Sequence, residues 1–494
     1  MTSTTHHWRW VAAALCAAAA GPLVARGDDP SAGPGPHWPQ YAGPQRSGVS
    51  AETNWKADWG ADGPKVAWKA DVGKGFSSFA VVGKRAYTMG SGGGGSAVFC
   101  LNAETGELLW RRGLGGGEPA GTPAADETAV YAVARDGTVG CLDAAKGTVR
   151  WQCNAGRDFG AAAGQWQIAC SPLLDDKGIV LDVGKLLLLD KAAGRPIWTA
   201  GNDTAGYSSS VAFKVGSADY LTSFNGFGLV VVNAATGREA ARCRWQTSYG
   251  VNAALPMVSG GDIFICSGYG RGAGLLRLTG AGLKLLYDKK IMRSQCNGPA
   301  LIGGCLYGLD GQGGSNGSLQ CVEMATGEVK WSEPMKCGAI SAAGDRLIVQ
   351  ADGGELVVAR ASPAGFRALG RARVLSGQCW TMPVLCGGRI YCRNTAGQVV
   401  CLDVWDGTAQ RGGTPAAKVP PKPPAPKPPA PTPRPAPGVS TDESRADAML
   451  RLAETYLRAG MKSAGEARLK EVVQKYPSTK AAAAARERLK AMQK

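Results

Sequence analysis

Few residues in this chain are of types and spacings that could do chemistry. Its three histidines, His6, His7 and His37, all precede the region of repeated sequence, which removes imidazole from catalysis or metal ligation in the rest. Fifteen cysteines are present, yet no two are adjacent and no Cys-x-x-Cys occurs. A redox pair, a zinc knuckle and a c-type haem attachment therefore lack their usual spacing. Cys170, Cys296, Cys337 and Cys379 fall where strands begin, and Cys100, Cys141, Cys321 and Cys401 share one position of the repeat. A metal or redox cluster is conceivable for the first four, but all eight read better as small buried apolar side chains. What remains is recognition chemistry. Gly164-Gln165-Trp166-Gln167, Gln378-Cys379-Trp380 and Ser267-Gly268-Tyr269-Gly270-Arg271 place aromatic and cationic side chains in connections that would otherwise be polar. Trp166, Trp380, Tyr269 and Arg271 are the candidate partner-binding residues, since aromatics and Arg make good anchors; ordinary packing between structural units is the alternative.

These connections belong to a repeat. Asn102-Ala103-Glu104-Thr105-Gly106-Glu107-Leu108-Leu109-Trp110 returns as Asp143 to Trp151, Asp190 to Trp198 and Glu323 to Trp331, with weaker copies from Asn233 and Asp403. Such a period marks a solenoid or propeller. Each unit holds short strands separated by turn signals, the pattern of an antiparallel module. Eight first strands begin near Ser78, Thr122, Ser171, Ser210, Ala254, Pro299, Ser341 and Pro383. The eighth unit ends at Leu402-Asp403-Val404 without its Trp strand, whereas Pro64 to Lys69 is a Trp strand with no unit before it. The spacing predicts an all-β, eight-bladed propeller of four-stranded antiparallel blades, closed by the strand at Trp68 so that no edge is left open. Trp68, Trp110, Trp151, Trp198 and Trp331 are expected to be structural, docking blade to blade.

The Asp/Asn-Ala-x-Thr-Gly-x-x-x-Trp phrase resembles the tryptophan-docking repeat of pyrroloquinoline quinone (PQQ)-type propellers, over roughly Trp38 to Asp406. That group includes quinoprotein alcohol dehydrogenases and the BamB-type outer-membrane assembly lipoproteins. Finer wording, in Trp38-Pro39-Gln40 with Gly43-Pro44, Val72 to Ser78, Tyr249 to Ala254 and Cys379 to Val384, looks like a planctomycete-type secreted subfamily. The resemblance implies a propeller that hosts both enzymes and scaffolds. Its enzymes hold the quinone at the channel with cations and Ca²⁺, use a carboxylate base and cover the cofactor with a vicinal disulfide. This chain has no adjacent cysteines and blades close to minimal length. No cofactor, metal or catalytic residue is assigned; a PQQ-dependent alcohol or polyvinyl-alcohol-type dehydrogenase is the alternative function.

Composition sets the remaining bounds. Residues 1–27 read as an export signal, with the apolar run Val11 to Ala20 and a small-x-small site at Ala25-Arg26-Gly27. Cys16 invites a lipoprotein reading, but Leu15 stands where a small residue is expected. The expected location is the periplasm or cell envelope. Residues 28–63 form an N-terminal extension, 64–411 the propeller, 412–438 a Pro-rich spacer and 439–494 a helical module. Of the net charge of +16, sixteen Lys and Arg against seven Asp and Glu lie after residue 411. The propeller itself is thus no nucleic-acid binder, and the excess gives a weak attraction to anionic envelope polymers or membranes. In the tail, Ala446 to Thr479 resembles one tetratricopeptide repeat, with Gly465 where that family usually has Ala. The sequence points to a non-catalytic protein-interaction scaffold of the envelope, BamB-like in architecture, that meets other envelope proteins through one propeller face and the tail.

Overall fold

The computed structural model describes residues 37–407 apart from 61 and 93, residues 462–492, and some positions between 442 and 457. The signal and the Pro-rich spacer lie outside the described residues. Two compact units divide at Pro415. The first is a ring of eight antiparallel blades. Blade 1 shows the plan: Ala80–Val82, Arg85–Gly92, Gly95–Asn102 and Leu108–Gly116, running from the axis outward. The eighth blade supplies Val384–Cys386, Arg389–Arg393 and Gln398–Asp403, and its outer strand is Lys65–Asp71 from the start of the chain.

Blades are joined by one repeated contact. The second-strand Tyr, third-strand Cys and fourth-strand Trp lie opposite one another in register: Tyr87, Cys100 and Trp110; Tyr131, Cys141 and Trp151; Tyr307, Cys321 and Trp331; Tyr391, Cys401 and Trp68. The indole N–H then donates to a carbonyl of the next blade's turn. Trp68 reaches Ala103 at 3.2 Å, Trp110 reaches Ala144 at 3.1 Å and Trp151 reaches Lys191 at 2.8 Å. Trp198 reaches Ala234 at 3.1 Å and Trp331 reaches Ser362 at 2.7 Å. The turn glycine lies flat on the ring. A Cβ at Gly106 would sit 2.6 Å from Trp68, and one at Gly147 would sit 2.5 Å from Trp110. Glycine is thus required by close approach as well as by its left-handed φ of 77° and 66°. The four cysteines fill the narrow gap between the two aromatics, and burial pushes the thiols of Cys100 and Cys321 up to about 12.

Three junctions lack the standard Trp. Tyr287 takes its place by donating to Met324 O at 2.9 Å. Trp245 packs over Gly274 with its N–H on Ser267 Oγ at 3.2 Å. At Gly370 of the seventh blade the covering indole is Trp59, from far upstream in the chain.

The N-terminal extension differs most from its sequence reading as a segment preceding the propeller. Residues 37–59 are built into the ring. His37–Trp38 adds an innermost strand to the first blade, and Val49–Ser50 adds one to the seventh. Between them the chain folds back along the axis, with Gly43 flat on the ring of Trp38. Trp38 and Arg46 are each only 2% exposed. Arg46 donates to the carbonyls of Ser210 at 3.0 Å and Ser171 at 2.9 Å, and also to Pro172 O. Glu52 then accepts Gly387 N and Gly388 N at 2.6 and 2.8 Å. Around this plug the first strands are stitched by hydroxyls. Ser78 N meets Thr122 Oγ1, Thr122 N meets Ser171 Oγ, and Ser171 N meets Ser209 Oγ, each at 2.9 Å. Arg393 locks the eighth blade to the first through Ser77 O, Met89 O, Gly73 O and Gly75 O.

In the second unit, Lys462–Lys475 and Lys480–Met492 are helices that share a small core with Ala446 and Ala453. Thr479 Oγ1 caps the second by accepting Ala482 N at 3.1 Å. Gly465 has a packing reason, since a Cβ there would lie 2.6 Å from Leu457. Among the described residues no helix is long and apolar enough to cross a membrane.

Two stability outcomes follow. Deleting residues through Lys69 removes the plug and the closing strand together, so the whole ring should lose cooperative melting; unchanged melting would show that closure does not depend on them. Trp110→Ala should cost about 3–5 kcal/mol through the cavity it leaves, measured by denaturant unfolding, while leaving the opposite face of the ring intact.

Candidate functional site

The loops that lead into each first strand share one face with the turns between second and third strands; this is termed the upper face. The plug's first short strand begins at the other face and its second ends there, and Glu52 just beyond it meets the turn at Gly387. The loop that carries Trp166 starts with a helical turn, Ala155–Phe159, capped by Asn154 and ended by Gly160 at φ 67°. Gly164 and Gln167 then bridge in a tight reversal, with Gln167 at φ 60°. That turn brings Trp166 against Tyr207 at 5.9 Å and Tyr249 at 5.8 Å between ring centroids, both edge to face. Tyr249 in turn meets Tyr269 at 5.6 Å. Tyr207 donates no space to a side chain at residue 164, since a Cβ there would lie 2.4 Å from its hydroxyl. The same hydroxyl accepts Trp166 N–H at 3.0 Å.

Trp380 is not part of this four-ring chain. It lies over Gly313, where a Cβ would be 2.6 Å away, and 6.0 Å from Phe76. Gln295 links the two groups, donating to Tyr269 Oη at 3.2 Å and accepting Gly313 N at 3.2 Å. The result is an arc on the upper face from Tyr207 through Trp166, Tyr249, Tyr269 and Gln295 to Trp380 and Phe76. Arg271 does not join it. Its guanidinium lies 3.4 Å over the Trp245 ring and holds both oxygens of Asp288 at 2.7 and 2.8 Å, so it braces the loop of Tyr269. Tyr207, Tyr249, Phe76 and Gln295 were not among the sequence candidates. Tyr249-Gly250 and Phe76-Ser77 did stand within the subfamily wording, whereas Tyr207 carried no signal.

Backbone strain marks the same place. Among the described residues seven non-glycine residues have left-handed φ: Ala42 and Arg46 in the plug, and Gln167, Tyr207, Tyr249, Tyr269 and Met292 on or beside the arc. For bulky side chains such a conformation costs of order 1–3 kcal/mol each and gathers at functional sites. Two shallow clefts flank the arc's centre. One of about 510 Å³ includes Gln165, Asn202, Asp203 and Tyr249; the other, about 390 Å³, includes Tyr269, Arg293, Asp310 and Gln312. Burial raises the phenols of Tyr207 and Tyr269 above their ordinary value.

A quinone at the axis is not matched by the residues present. Trp38, Ala42 and Arg46 are buried there, and Cys170, Cys296, Cys337 and Cys379 are all free thiols raised by burial. Among the described residues no group of three or more His, Cys, Asp or Glu is disposed to hold a metal ion.

With this geometry in view, a family model described as "Outer membrane protein assembly factor BamB" matches residues 49–201 and 161–333. The chain belongs to this family. It is 26% identical over 352 residues to the outer membrane protein assembly factor BamB of Burkholderia pseudomallei (strain K96243), covering 69% of this chain and 77% of that relative. Among solved structures it is similar to BamB from Moraxella catarrhalis, with TM-score 0.52, 12% identity, and coverage of 69% of this chain and 99% of that one. The quinohemoprotein alcohol dehydrogenase from Comamonas testosteroni gives TM-score 0.54 and 14% identity, with coverage of 77% and 82%. At such identity both structural likenesses speak for the fold alone.

Beneath the first cleft, Asp182 accepts Ser223 Oγ at 2.8 Å and Phe224 N at 3.1 Å. Burial lifts its carboxyl from 3.8 to about 6 despite these donors. Below pH 4 the group is neutral folded or unfolded; as pH rises to about 6 the folded form must bear an unfavourable charge that the unfolded form does not resist. Asp182→Asn should therefore melt like the parent at pH 4 and gain relative stability up to pH 6, by at most about 3 kcal/mol. A difference independent of pH would refute this.

Proposed function

We propose that this protein is a non-catalytic binding scaffold of the cell envelope. The single observation that carries the reading is the strained aromatic arc on the upper face, built off the axis on a ring whose axis is filled by its own chain. Binding surfaces enriched in Trp and Tyr concentrate their energy in a few such anchors. The named relatives are outer membrane protein assembly factors, and the family favours an exported protein whose partners are other envelope proteins. Trp166, Tyr269 and Trp380 are the proposed anchors, with Arg271 holding the Tyr269 loop. The helical tail offers a second contact.

The test is capture from envelope extract. Trp166→Ala and Trp380→Ala should each weaken partner capture by at least about 2 kcal/mol while melting changes little. Variants that melt early and capture normally would assign both residues to packing and move the working surface to the blade sides or the tail. Turnover of alcohols after addition of PQQ and Ca²⁺, read with an artificial electron acceptor, would overturn the scaffold reading.

A further inference from the structure

We propose that the two clefts beside Tyr249 and Tyr269 together bind one strand of an uncharged glycan. This rests on the reading of the upper face as a binding surface and names the chemistry of what that face takes. The clefts have a common ridge, because Tyr249 lines one, Tyr269 lines the other, and the two rings touch. A linear molecule crossing the ridge would fill both. Tyr249 is 44% exposed at that crossing, and it is held in a left-handed conformation at φ 62°.

The charges argue for a neutral occupant. Asp203 is paired with Arg242 at 3.5 Å, and Arg293 holds both oxygens of Asp310 at 2.9 and 2.5 Å. Every charged side chain lining the clefts is thus already compensated, so an ionic ligand would gain little. Exposed instead are the side-chain amides of Gln165, Asn202, Gln312 and Asn316. Amides that donate and accept, beside aromatic rings, suit a ligand that alternates hydroxyls with apolar C–H faces. A peptide added as a strand is a poorer fit. Strand addition needs an unpaired sheet edge, and the propeller's sheet edges are the innermost and outermost strands of its blades rather than the loops of this face.

The experiment is titration calorimetry of the full chain with cellohexaose and hexa-N-acetylchitohexaose, each against its disaccharide. At least one hexasaccharide should bind, at least about ten-fold tighter than its dimer because it spans both clefts, and with little response to salt. Tyr249→Ala should weaken binding at least ten-fold by about the loss of one anchor, and Tyr249→Trp should restore it. If Tyr249→Ala melts early, the double variant Gln165→Ala, Asn202→Ala carries the same expectation. Absence of binding by both hexasaccharides, equal binding of dimer and hexamer, or indifference to these substitutions overturns the proposal. Capture of envelope proteins by the same variants is measured in parallel. Capture lost without any saccharide binding sinks the glycan and leaves the scaffold reading standing.

Discussion

The docking of one blade's indole onto the next blade's turn is the contact on which the ring depends. A four-stranded blade is too thin to bury both faces by itself, so its stability is largely that of its junctions. At the junctions of Trp68, Trp110, Trp151 and Trp198 an aromatic ring, a glycine and one carbonyl are satisfied together, whereas at Trp331 the ring meets Phe366 instead of a glycine. Tyr87 and Trp110 even share an acceptor, both donating to Ala144 O at 3.1 Å. No partner in this set can be altered alone: a side chain on Gly147 would collide with Trp110, and loss of the indole would leave a cavity between the two blades. Where the repeat has lost its Trp, Tyr287 keeps the contact with the next turn's carbonyl, and Trp245 and Trp59 lay their rings on Gly274 and Gly370 instead.

Closure adds a requirement that a linear repeat array does not have. The outer strand of the eighth blade lies more than 300 residues before its partner, Gln398–Asp403, and the plug that precedes it in the chain touches the first, third, fourth, seventh and eighth blades. Contacts of such sequence separation are slow to form, and the strand Lys65–Asp71 can pair only once the eighth blade is in place. Arg46 and Arg393 are both wholly buried and both answer mainly to main-chain carbonyls. Burial lowers each guanidinium, to about 9 and about 10. A buried charge without a carboxylate is costly unless carbonyls offset it, and those that serve Arg46 and Arg393 come from separate blades of the assembled ring.

The ring was legible in sequence because its junctions repeat: Gly, Thr and Trp recur at fixed offsets, and Trp68 without a blade before it announced closure. The plug was not. His37 to Ser50 has no periodicity and pairs through only two residues at each end, so nothing local distinguishes it from an ordinary extension. The arc was half legible. Trp166, Tyr269 and Trp380 stood out as aromatics in Gly- and Gln-rich loops, but which of them meet depends on the turns that position them. Tyr207 enters through a backbone conformation, φ 140°, that composition does not reveal. Arg271 was read by residue type alone, and its fate was decided by Asp288 across the sheet and by Trp245, just after the fourth blade's last strand.

Rigidity and strain are divided between the two parts of the ring in a way that bears on what it can do. Strained tyrosines persist only where the surroundings over-determine them; here the loops of Tyr207 and Tyr249 lead into first strands tied by Ser209 and Ser208, and the turn of Tyr269 is held by Arg271 on Asp288. A plugged axis removes the one place where a propeller of this size could enclose a small molecule. It also stiffens the inner strands, so the loops of the upper face keep their relative positions without a ligand. Preorganisation of that kind lowers the entropy lost on binding to an open surface, and it is most useful to a protein whose work is to hold a partner.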